Sequence, residues 1–282
     1  MTNAGEAFEE ACRRLKLAGI AEARLEARVM IGNALGVDGT VVLGRPAADI
    51  SAGEKDRLKA IVERRVRREP LALILGNREF WSLSFRVTED TLIPRPDSET
   101  IIEAALAWAS ERNDVADILD LGTGSGCLLL SLLYELKNAR GLGVDISAAA
   151  LKVAAENARA LGLDDRARFA KGNWGDGLRE SFDMIVINPP YIPEGDIAGL
   201  APEVSLFEPR LALSGGADGL DCYRAVIPWL PRLLKSSGRV FIEAGKGQFP
   251  AVADLLEKHG LRPVDFIKDL SGIERCVTAS GE

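Results

Sequence analysis

The chain has 282 residues, is 47% hydrophobic and 27% charged, and carries a net charge of −7. A chain of this length favours two domains over a single core, and none of its apolar runs approaches the roughly 20 residues that a membrane-spanning helix needs. Most of the negative charge lies after residue 90, which disfavours binding to the phosphate backbone of a nucleic acid.

The N-terminal sequence MTNAGEAFEE has neither the apolar core of a secretory signal nor an Arg-rich transit pattern, so we expect a cytoplasmic protein. The four cysteines are widely separated and form no C-x-x-C motif. The single histidine, His259, lies near the end of a helical stretch, where it suits a surface or capping role. We therefore predict no metal site and no Ser-His-Asp chemistry.

Residues 5–68 are rich in Ala, Glu, Arg and Leu, with apolar residues recurring every three to four positions, and this pattern predicts three or four short helices. Ser51 and Glu54 have the spacing of a capping box at the start of one helix. One buried helix face is predicted to contain Leu25, Val29, Ala34 and Leu35. We assign residues 1–75 to an N-terminal helical domain.

Residues 77–87 (NREFWSLSFRV) change in character, because aromatic and branched residues now favour strands. They predict a short hairpin. The sequence that follows contains Pro94 and Pro96, which exclude a regular helix or a central strand there. We assign residues 76–97 to this hairpin and a Pro-rich linker, and residues 98–282 to the second domain.

The second domain alternates between helical and strand patterns, which predicts an α/β fold of the Rossmann type with a mostly parallel sheet. The predicted strands of the alternating part are 117–121, 141–145, 168–171, 182–187 and 239–244. Two closing strands, 262–267 and 273–278, have no helix between them, so we expect the last strand to be antiparallel.

A glycine-rich segment, Asp120–Gly126 (DLGTGSG), follows the first of these strands and opens a helix. Glycines permit tight turns and close approach of a ligand, and the free amides of a helix N-terminus suit a carboxylate or phosphate. By itself the segment is equally compatible with a plain strand-to-helix turn. The candidate ligand-binding residues are Gly122, Thr123, Gly124, Ser125 and Gly126.

Two further positions suggest a nucleoside. Asp145 ends the next strand, where a carboxylate can accept hydrogen bonds from both ribose hydroxyls. Its alternative role as a helix cap is less favoured, because Ser147 is available for capping. Asn173 and Trp174 follow the third strand, and the indole could pack against an adenine ring or simply be half-buried.

The most informative motif is Asn188-Pro189-Pro190-Tyr191, which directly follows the apolar strand FDMIVI. The prolines remove two backbone donors and stiffen the turn. The Asn188 side-chain oxygen and the Pro189 carbonyl then form two acceptors that suit both hydrogens of a planar NH2 group. Tyr191 supplies an aromatic wall for a planar substrate. We predict Asn188, Pro189 and Tyr191 as catalytic residues and Asn188, Pro189, Pro190 and Tyr191 as substrate-binding residues.

These motifs resemble those of methyltransferases that act on planar nitrogens, and the chain as a whole resembles the HemK/PrmC family, the peptide chain release factor glutamine methyltransferases. The resembling segments include PLALILGNREFWSLSFRVTEDTLIPRPDSE, ILDLGTGSGCLLLSLL, GVDISAAALKVAAENA, FDMIVINPPYIPEGDI and EPRLALSGGADGLDCYRAV, which cover most of residues 70–226. The helical residues 1–68 also fit the small N-terminal domain of that family, which would help dock the substrate.

The resemblance implies an enzyme that uses S-adenosyl-L-methionine, releases S-adenosyl-L-homocysteine and methylates N5 of the glutamine in the Gly-Gly-Gln loop of class I release factors. It implies that the glycine-rich loop lines the methionine part of the cofactor, that Asp145 holds the ribose, and that Trp174 flanks adenine. Asn188 would serve cofactor and substrate alike. The family commonly has an acid at the position of Asn173, whose amide oxygen can still accept a hydrogen bond.

Three alternatives differ in class. An N6-adenine methyltransferase of DNA or ribosomal RNA shares the Asn188 motif. A DNA enzyme should also carry a basic recognition region, whereas residues 1–90 are near neutral and the rest of the chain is acidic. A methyltransferase of ribosomal RNA or of a ribosomal protein is a closer rival, because its chemistry is the same. A cofactor-binding module without activity would have a degenerate motif, whereas Asn188 to Tyr191 are intact. An NAD-dependent oxidoreductase is disfavoured because the glycines are spaced G-x-G-x-G and not G-x-G-x-x-G.

Overall fold

The computed structural model describes residues 3–112 and 115–281. These residues form two compact units. The first comprises the chain up to Gly76 together with Ala201–Phe207, and the second comprises Asn77–Leu200 and the chain from Glu208 onward. The partition made from the sequence did not include the excursion of Ala201–Phe207 into the first unit. The residues assigned to a hairpin and linker, 76–97, lie almost entirely in the second unit.

The first unit is a bundle of short helices: α1 (Ala4–Leu17), α2 (Ala23–Leu35), α3 (Gly39–Gly44), α4 (Ala52–Val66), α5 (Leu71–Leu75) and, from the returning segment, a single turn at Pro202–Ser205. The capping box is present at the start of α4, where the Ser51 and Glu54 side chains each accept from the other's backbone N–H. Helix α4 is joined to the returning segment through a buried cation, since Arg65 pairs with Glu26 and Glu203.

The predicted buried face of α2 is wrong for two residues. Leu25 is 47% exposed and Val29 is 40% exposed. The face that packs into the bundle instead contains Ala23, Ala27, Met30, Ile31 and Ala34. Both sets recur at helical spacing, so periodicity cannot separate them. Alanines at the contact let α2 approach its neighbouring helices closely, and the larger residues are left on the outer face.

The second unit begins with an antiparallel hairpin, β1 (Asn77–Phe80) and β2 (Leu83–Arg86). Its two-residue turn places Trp81 and Ser82 at φ values of 51° and 56°, the geometry that tight hairpins require. After a Pro-rich stretch the chain continues with helices and strands: α6 (Glu99–Ser110), β3 (Asp117–Leu121), α7 (Cys127–Glu135), β4 (Arg140–Asp145), α8 (Ala148–Ala160), β5 (Ala167–Lys171) and β6 (Phe182–Ile187).

The remaining elements of this unit are α9 (Asp221–Val226), α10 (Leu230–Leu233), β7 (Leu234–Glu243), α11 (Phe249–Lys258), β8 (Leu261–Lys268) and β9 (Glu274–Gly281). The seven strands of the main sheet have the order β5-β4-β3-β6-β7-β9-β8. The first five are parallel, and β9 inserts antiparallel between β7 and β8, as predicted from the short connection between the closing strands. His259 follows the last residue of α11, as expected.

The order of the strands determines where a ligand can bind. From β3 the chain moves outward through β4 to β5 and then returns to place β6 on the other side of β3. The carboxyl ends of β3 and β6 therefore border a crevice at the point where the strand order reverses, which is the usual ligand site of such sheets. No helix among residues 3–112 and 115–281 is long and apolar enough to cross a membrane.

Candidate active site

The glycine-rich loop after β3 owes its shape to backbone geometry. Gly122, Gly124 and Gly126 have φ values of 79°, 55° and 82°, in the region that favours glycine. A Cβ on Gly126 would lie 3.1 Å from a methyl group of Leu130 and 3.2 Å from Cβ of Ala154. The loop is tied to β4, because the N–H groups of Gly122 and Thr123 both donate to the carbonyl of Val144, at 2.8 and 3.0 Å.

Asp145 ends β4 and connects the loop to the next helix. One carboxylate oxygen accepts from the N–H of Gly124 at 2.9 Å, and the other accepts from the N–H of Ser147 at 2.8 Å. Ser147 in turn caps α8, since its side chain accepts from the N–H of Ala150 at 3.2 Å. The capping role considered for Asp145 therefore belongs to Ser147, and the Asp145 side chain lies at the edge of the crevice.

Trp174 covers the outer face of the loop. Its φ of 52° is unusual for a bulky residue, and its indole lies 3.4 Å from the position that a Cβ would take on Gly122. The side chain is half-buried, whereas the neighbouring Asn173 is exposed. A flat aromatic surface is therefore held beside the glycine-rich loop.

These residues line one cavity of about 700 Å³, within the range of cofactor and small-molecule sites. Its walls lie wholly in the second unit. Of the residues predicted for the site, the cavity is lined by Gly122, Thr123, Gly124, Ser125, Asp145, Asn173, Trp174, Asn188 and Pro190. Gly126, Pro189 and Tyr191 are not part of its lining: Gly126 packs against α7 and α8, and Pro189 is buried.

Asn188 directly follows β6, which pairs with β3, so it lines the cavity beside the glycine-rich loop. It is held by side chains that the sequence reasoning did not identify. Its Nδ2 donates to Ser98 Oγ at 3.0 Å, and Ser98 Oγ contacts Oε2 of Glu243 at 2.6 Å. The Tyr191 hydroxyl donates to the other oxygen of Glu243 at 3.3 Å. The hydroxyl of Tyr191 therefore points towards this buried carboxylate, although a substrate-facing wall was predicted for its ring.

Burial shifts the pKa of two members of this group, Tyr191 and Glu243. It raises the pKa of the Tyr191 hydroxyl, which stays protonated and donates. It also raises the pKa of Glu243, while the hydrogen bond from Ser98 and the positive charge of Arg275 act in the opposite direction. Glu243 ends β7 as Asp145 ends β4, so an acid at the carboxyl end of a parallel strand was the signal that could have revealed it.

Asp120, the first residue of the glycine-rich motif, is a second buried carboxylate at this site. Its Oδ2 accepts from the Thr123 hydroxyl at 2.7 Å, and its Oδ1 has no hydrogen-bond partner among the described residues. Burial raises the pKa of Asp120 to about 7. Asp120 is not part of the cavity lining, so its carboxyl group contributes to the loop through its contact with Thr123.

Two ion pairs shape the far wall of the cavity. Arg95 donates to the buried carboxylate of Glu208 at 2.5 Å, and Glu208 also accepts from the N–H of Ile93 at 3.3 Å. Glu194 pairs with Arg210 and accepts from Ser214. These contacts bring together the Pro-rich stretch and the long connection that follows the Asn188 motif. Among the described residues, no group of three or more His, Cys, Asp or Glu side chains could hold a metal ion.

Comparison with known proteins agrees with this geometry. Residues 6–76 match the family described as the PrmC N-terminal domain, and residues 113–259 match the family described as a methyltransferase domain. A release factor glutamine methyltransferase of Rhodospirillum rubrum is 48% identical, over 98% of this chain and 84% of its own length. Its counterpart in Cereibacter sphaeroides is 45% identical over 98% of both chains. The chain belongs to the release factor glutamine methyltransferase family.

Among solved structures, the hMettl16 catalytic domain in complex with the MAT2A 3′UTR hairpin 6 has a TM-score of 0.57 and 17% identity, covering 79% of this chain and 82% of that one. This likeness shows the fold alone. Within its family the chain is an enzyme that depends on S-adenosyl-L-methionine. The cavity fits that cofactor. Part of its lining consists of a glycine-rich loop that a ligand can approach closely, the carboxylate at the end of β4 and the indole of Trp174.

Proposed function

We propose that this enzyme methylates N5 of the glutamine in the Gly-Gly-Gln loop of class I peptide chain release factors, leaving S-adenosyl-L-homocysteine. The observation that carries the proposal is a single cavity in which the glycine-rich loop and the side chain of Asn188 lie at the ends of neighbouring strands. The names of the relatives support the same substrate class.

We assign one set of lining residues to the cofactor and another set to the substrate NH2 group. Gly122 to Gly126 and Asp145 would hold the cofactor's methionine and ribose, and Trp174 would lie against its adenine. Asn188 and the carbonyl of Pro189 would accept hydrogen bonds from the substrate NH2, with Pro190 lining the pocket and Tyr191 supporting the motif through its contact with Glu243. When bound, S-adenosyl-L-methionine supplies an electrophilic methyl group on a sulfonium.

The protein's contribution is to make a poor nucleophile react. The lone pair of an amide nitrogen is delocalised into its carbonyl, so attack develops positive charge on the NH2 group. Acceptor oxygens fixed in advance, at Asn188 and Pro189, stabilise that charge. Holding the nitrogen in line with the methyl group removes the entropic cost of orientation. The proton that leaves the product nitrogen is acidic enough to pass to water.

The proposal is tested by transfer of a radiolabelled methyl group to purified class I release factor. A Gln→Ala variant of its Gly-Gly-Gln loop and a duplex DNA serve as controls. We expect label on the wild-type factor only. Label on the DNA, or on neither substrate despite measurable cofactor binding, would contradict the substrate assignment. The relatives do not favour the alternative of an adenine methyltransferase for DNA or ribosomal RNA.

The partner of this enzyme is therefore proposed to be a protein, bound without direct contact to nucleic acid or membrane. Because the proposed substrate is a translation factor, we expect the enzyme in the cytoplasm. The helical unit is proposed to help dock the release factor.

A further inference from the structure

The side chain of Asn188 is the first member of a buried chain of hydrogen bonds. Asn188 contacts Ser98, Ser98 contacts Glu243, and Glu243 also contacts Tyr191. Ser98 is 2% exposed and Glu243 is 1% exposed, so water does not compete for these groups. The members come from widely separated parts of the chain, and the carboxylate of Glu243 receives no other hydrogen bond among the described residues.

The direction of each hydrogen bond follows from the chemistry of its partners. An ionised carboxylate only accepts, so both Ser98 and Tyr191 donate their hydroxyl protons to Glu243. The Ser98 hydroxyl has a single proton. Because this proton is donated to Glu243, the Ser98 oxygen can only accept further hydrogen bonds. Asn188 must then present its NH2 group to Ser98, and its Oδ1 is left as the acceptor. Without the carboxylate, Ser98 could donate to Asn188 and the amide could equally well turn over.

We propose that Ser98 and Glu243 are positioning residues that fix the donor–acceptor polarity of the Asn188 amide, so that its oxygen and not its NH2 group meets the substrate nitrogen. The inference rests on the function proposed above. In the reversed orientation Asn188 would direct a donor at the substrate NH2, and the developing positive charge would lose its acceptor.

The hydrogen bonds to Glu243 and the nearby charge of Arg275 favour its ionised form, whereas burial opposes it. Burial raises its pKa and the hydrogen bond from Ser98 opposes this, as does the positive charge of Arg275 on β9. Arg275 is itself held by Asp269 at 3.1 Å and Asp97 at 3.0 Å. Tyr191 faces the carboxylate from the motif loop, and the backbone carbonyl of Glu243 accepts from Tyr223 at 3.0 Å.

Single substitutions test whether the hydroxyl and the carboxylate matter for the rate. We expect S98A and E243Q each to lower kcat towards release factor about tenfold, which corresponds to the loss of one hydrogen bond in the transition state. The Kd for S-adenosyl-L-methionine should be unchanged. S98T keeps the hydroxyl and should stay within about threefold of the wild type. S131A is the matched control, because Ser131 is also fully buried, has no hydrogen-bond partner among the described residues and is not part of the site.

A pair of charge variants tests polarity itself. N188D removes the NH2 group that donates to Ser98. It places a carboxylate next to the Ser98 oxygen, whose only proton is already donated to Glu243. We expect a loss of about a hundredfold in kcat. In N188D/E243Q the amide NH2 introduced at position 243 can donate a hydrogen bond to the Ser98 oxygen. The Ser98 hydroxyl is then free to donate its proton to the carboxylate introduced at position 188. The double variant should be about tenfold faster than N188D, although E243Q alone is harmful.

The outcomes separate the two proposals. Failure of the wild-type enzyme to label release factor would contradict the proposed function. An active wild type with S98A and E243Q at full rate, or a double variant no faster than N188D, would overturn the positioning role. Melting temperatures of all variants, compared with that of S131A, distinguish lost activity from lost folding. A rescue by the second substitution supports the inference even if both single variants are less stable.

Discussion

The cavity lining has two adjoining parts, the glycine-rich end and the Asn188 end, which are built in different ways. The glycine-rich end is formed by the backbone of one contiguous loop, pinned by hydrogen bonds from Gly122, Thr123 and Gly124. The Asn188 end is formed by side chains of several distant segments, joined through the buried carboxylate of Glu243. Backbone groups of a single loop are sufficient to bind a cofactor, because the cofactor has the same shape in every catalytic cycle. A side-chain network sets the direction of the hydrogen bonds that the reaction needs.

This difference predicts that substitutions at the two ends change different quantities. Changes at the glycine-rich end should alter cofactor affinity and stability. Changes at the Asn188 end should alter the rate of methyl transfer at saturating cofactor.

The largest expected effect is that of Asn188→Ala. Removing a preorganised acceptor should lower kcat by about 100- to 1,000-fold. Cofactor affinity, measured by isothermal titration calorimetry, should fall far less than kcat, because most of the proposed cofactor contacts come from the glycine-rich loop and Asp145. Equal losses in kcat and in affinity would show that the two ends are not separable.

A second prediction concerns stability at the glycine-rich end. The pKa of Asp120 is about 7 in the folded protein, against 3.8 as its ordinary value. Between these values only the unfolded state releases the proton, so this residue makes stability fall as pH rises towards 7. Asp120→Asn should remove that contribution, which is about 3 kcal/mol between pH 5 and 8.

The measurement is urea unfolding of both proteins at several pH values. The difference in the free energy of unfolding between variant and wild type should grow with pH and level off above about pH 7. A difference that is constant with pH would mean that Asp120 is ionised throughout this range.

The third prediction is the counterpart of the first. Asp145→Ala should weaken binding of S-adenosyl-L-methionine about 10- to 100-fold, since it removes charged hydrogen-bond acceptors. At saturating cofactor kcat should remain within about threefold of the wild type. Asp145→Asn keeps one acceptor oxygen and should lie between the two. A large fall in kcat at saturation would assign Asp145 to the chemical step instead.

The smallest expected effect separates backbone conformation from packing. Gly126 and Gly162 both have left-handed backbone, with φ of 82° and 67°, but only Gly126 has neighbours in the space of a Cβ. Gly162→Ala should cost about 1–2 kcal/mol of unfolding free energy from strain alone. Gly126→Ala should cost a further 1 kcal/mol or so from overpacking. Equal costs in urea unfolding would show that the loop relaxes around the new methyl group.

Local patterns were sufficient for much of the fold and for one end of the site. The capping box of Ser51, the hairpin after Gly76 and the antiparallel last strand all depend on residues close together in sequence, and each is present. The glycine-rich loop and Asp145 also lie at the expected ends of neighbouring strands. The ligand-binding roles of these residues stay predictions, because they depend on contacts with the cofactor and not on the position of the strands alone.

The sequence by itself determined the family, the mostly parallel sheet and the location of the Asn188 motif, because strand periodicity, glycine spacing and turn residues act over short distances. Only the tertiary structure decided which face of α2 is buried, that Ala201–Phe207 joins the helical unit, and that Ser98 and Glu243 meet behind Asn188. Each of these depends on which distant surfaces come together. A buried polar group must find its partner wherever the fold places one, and no local pattern records that position.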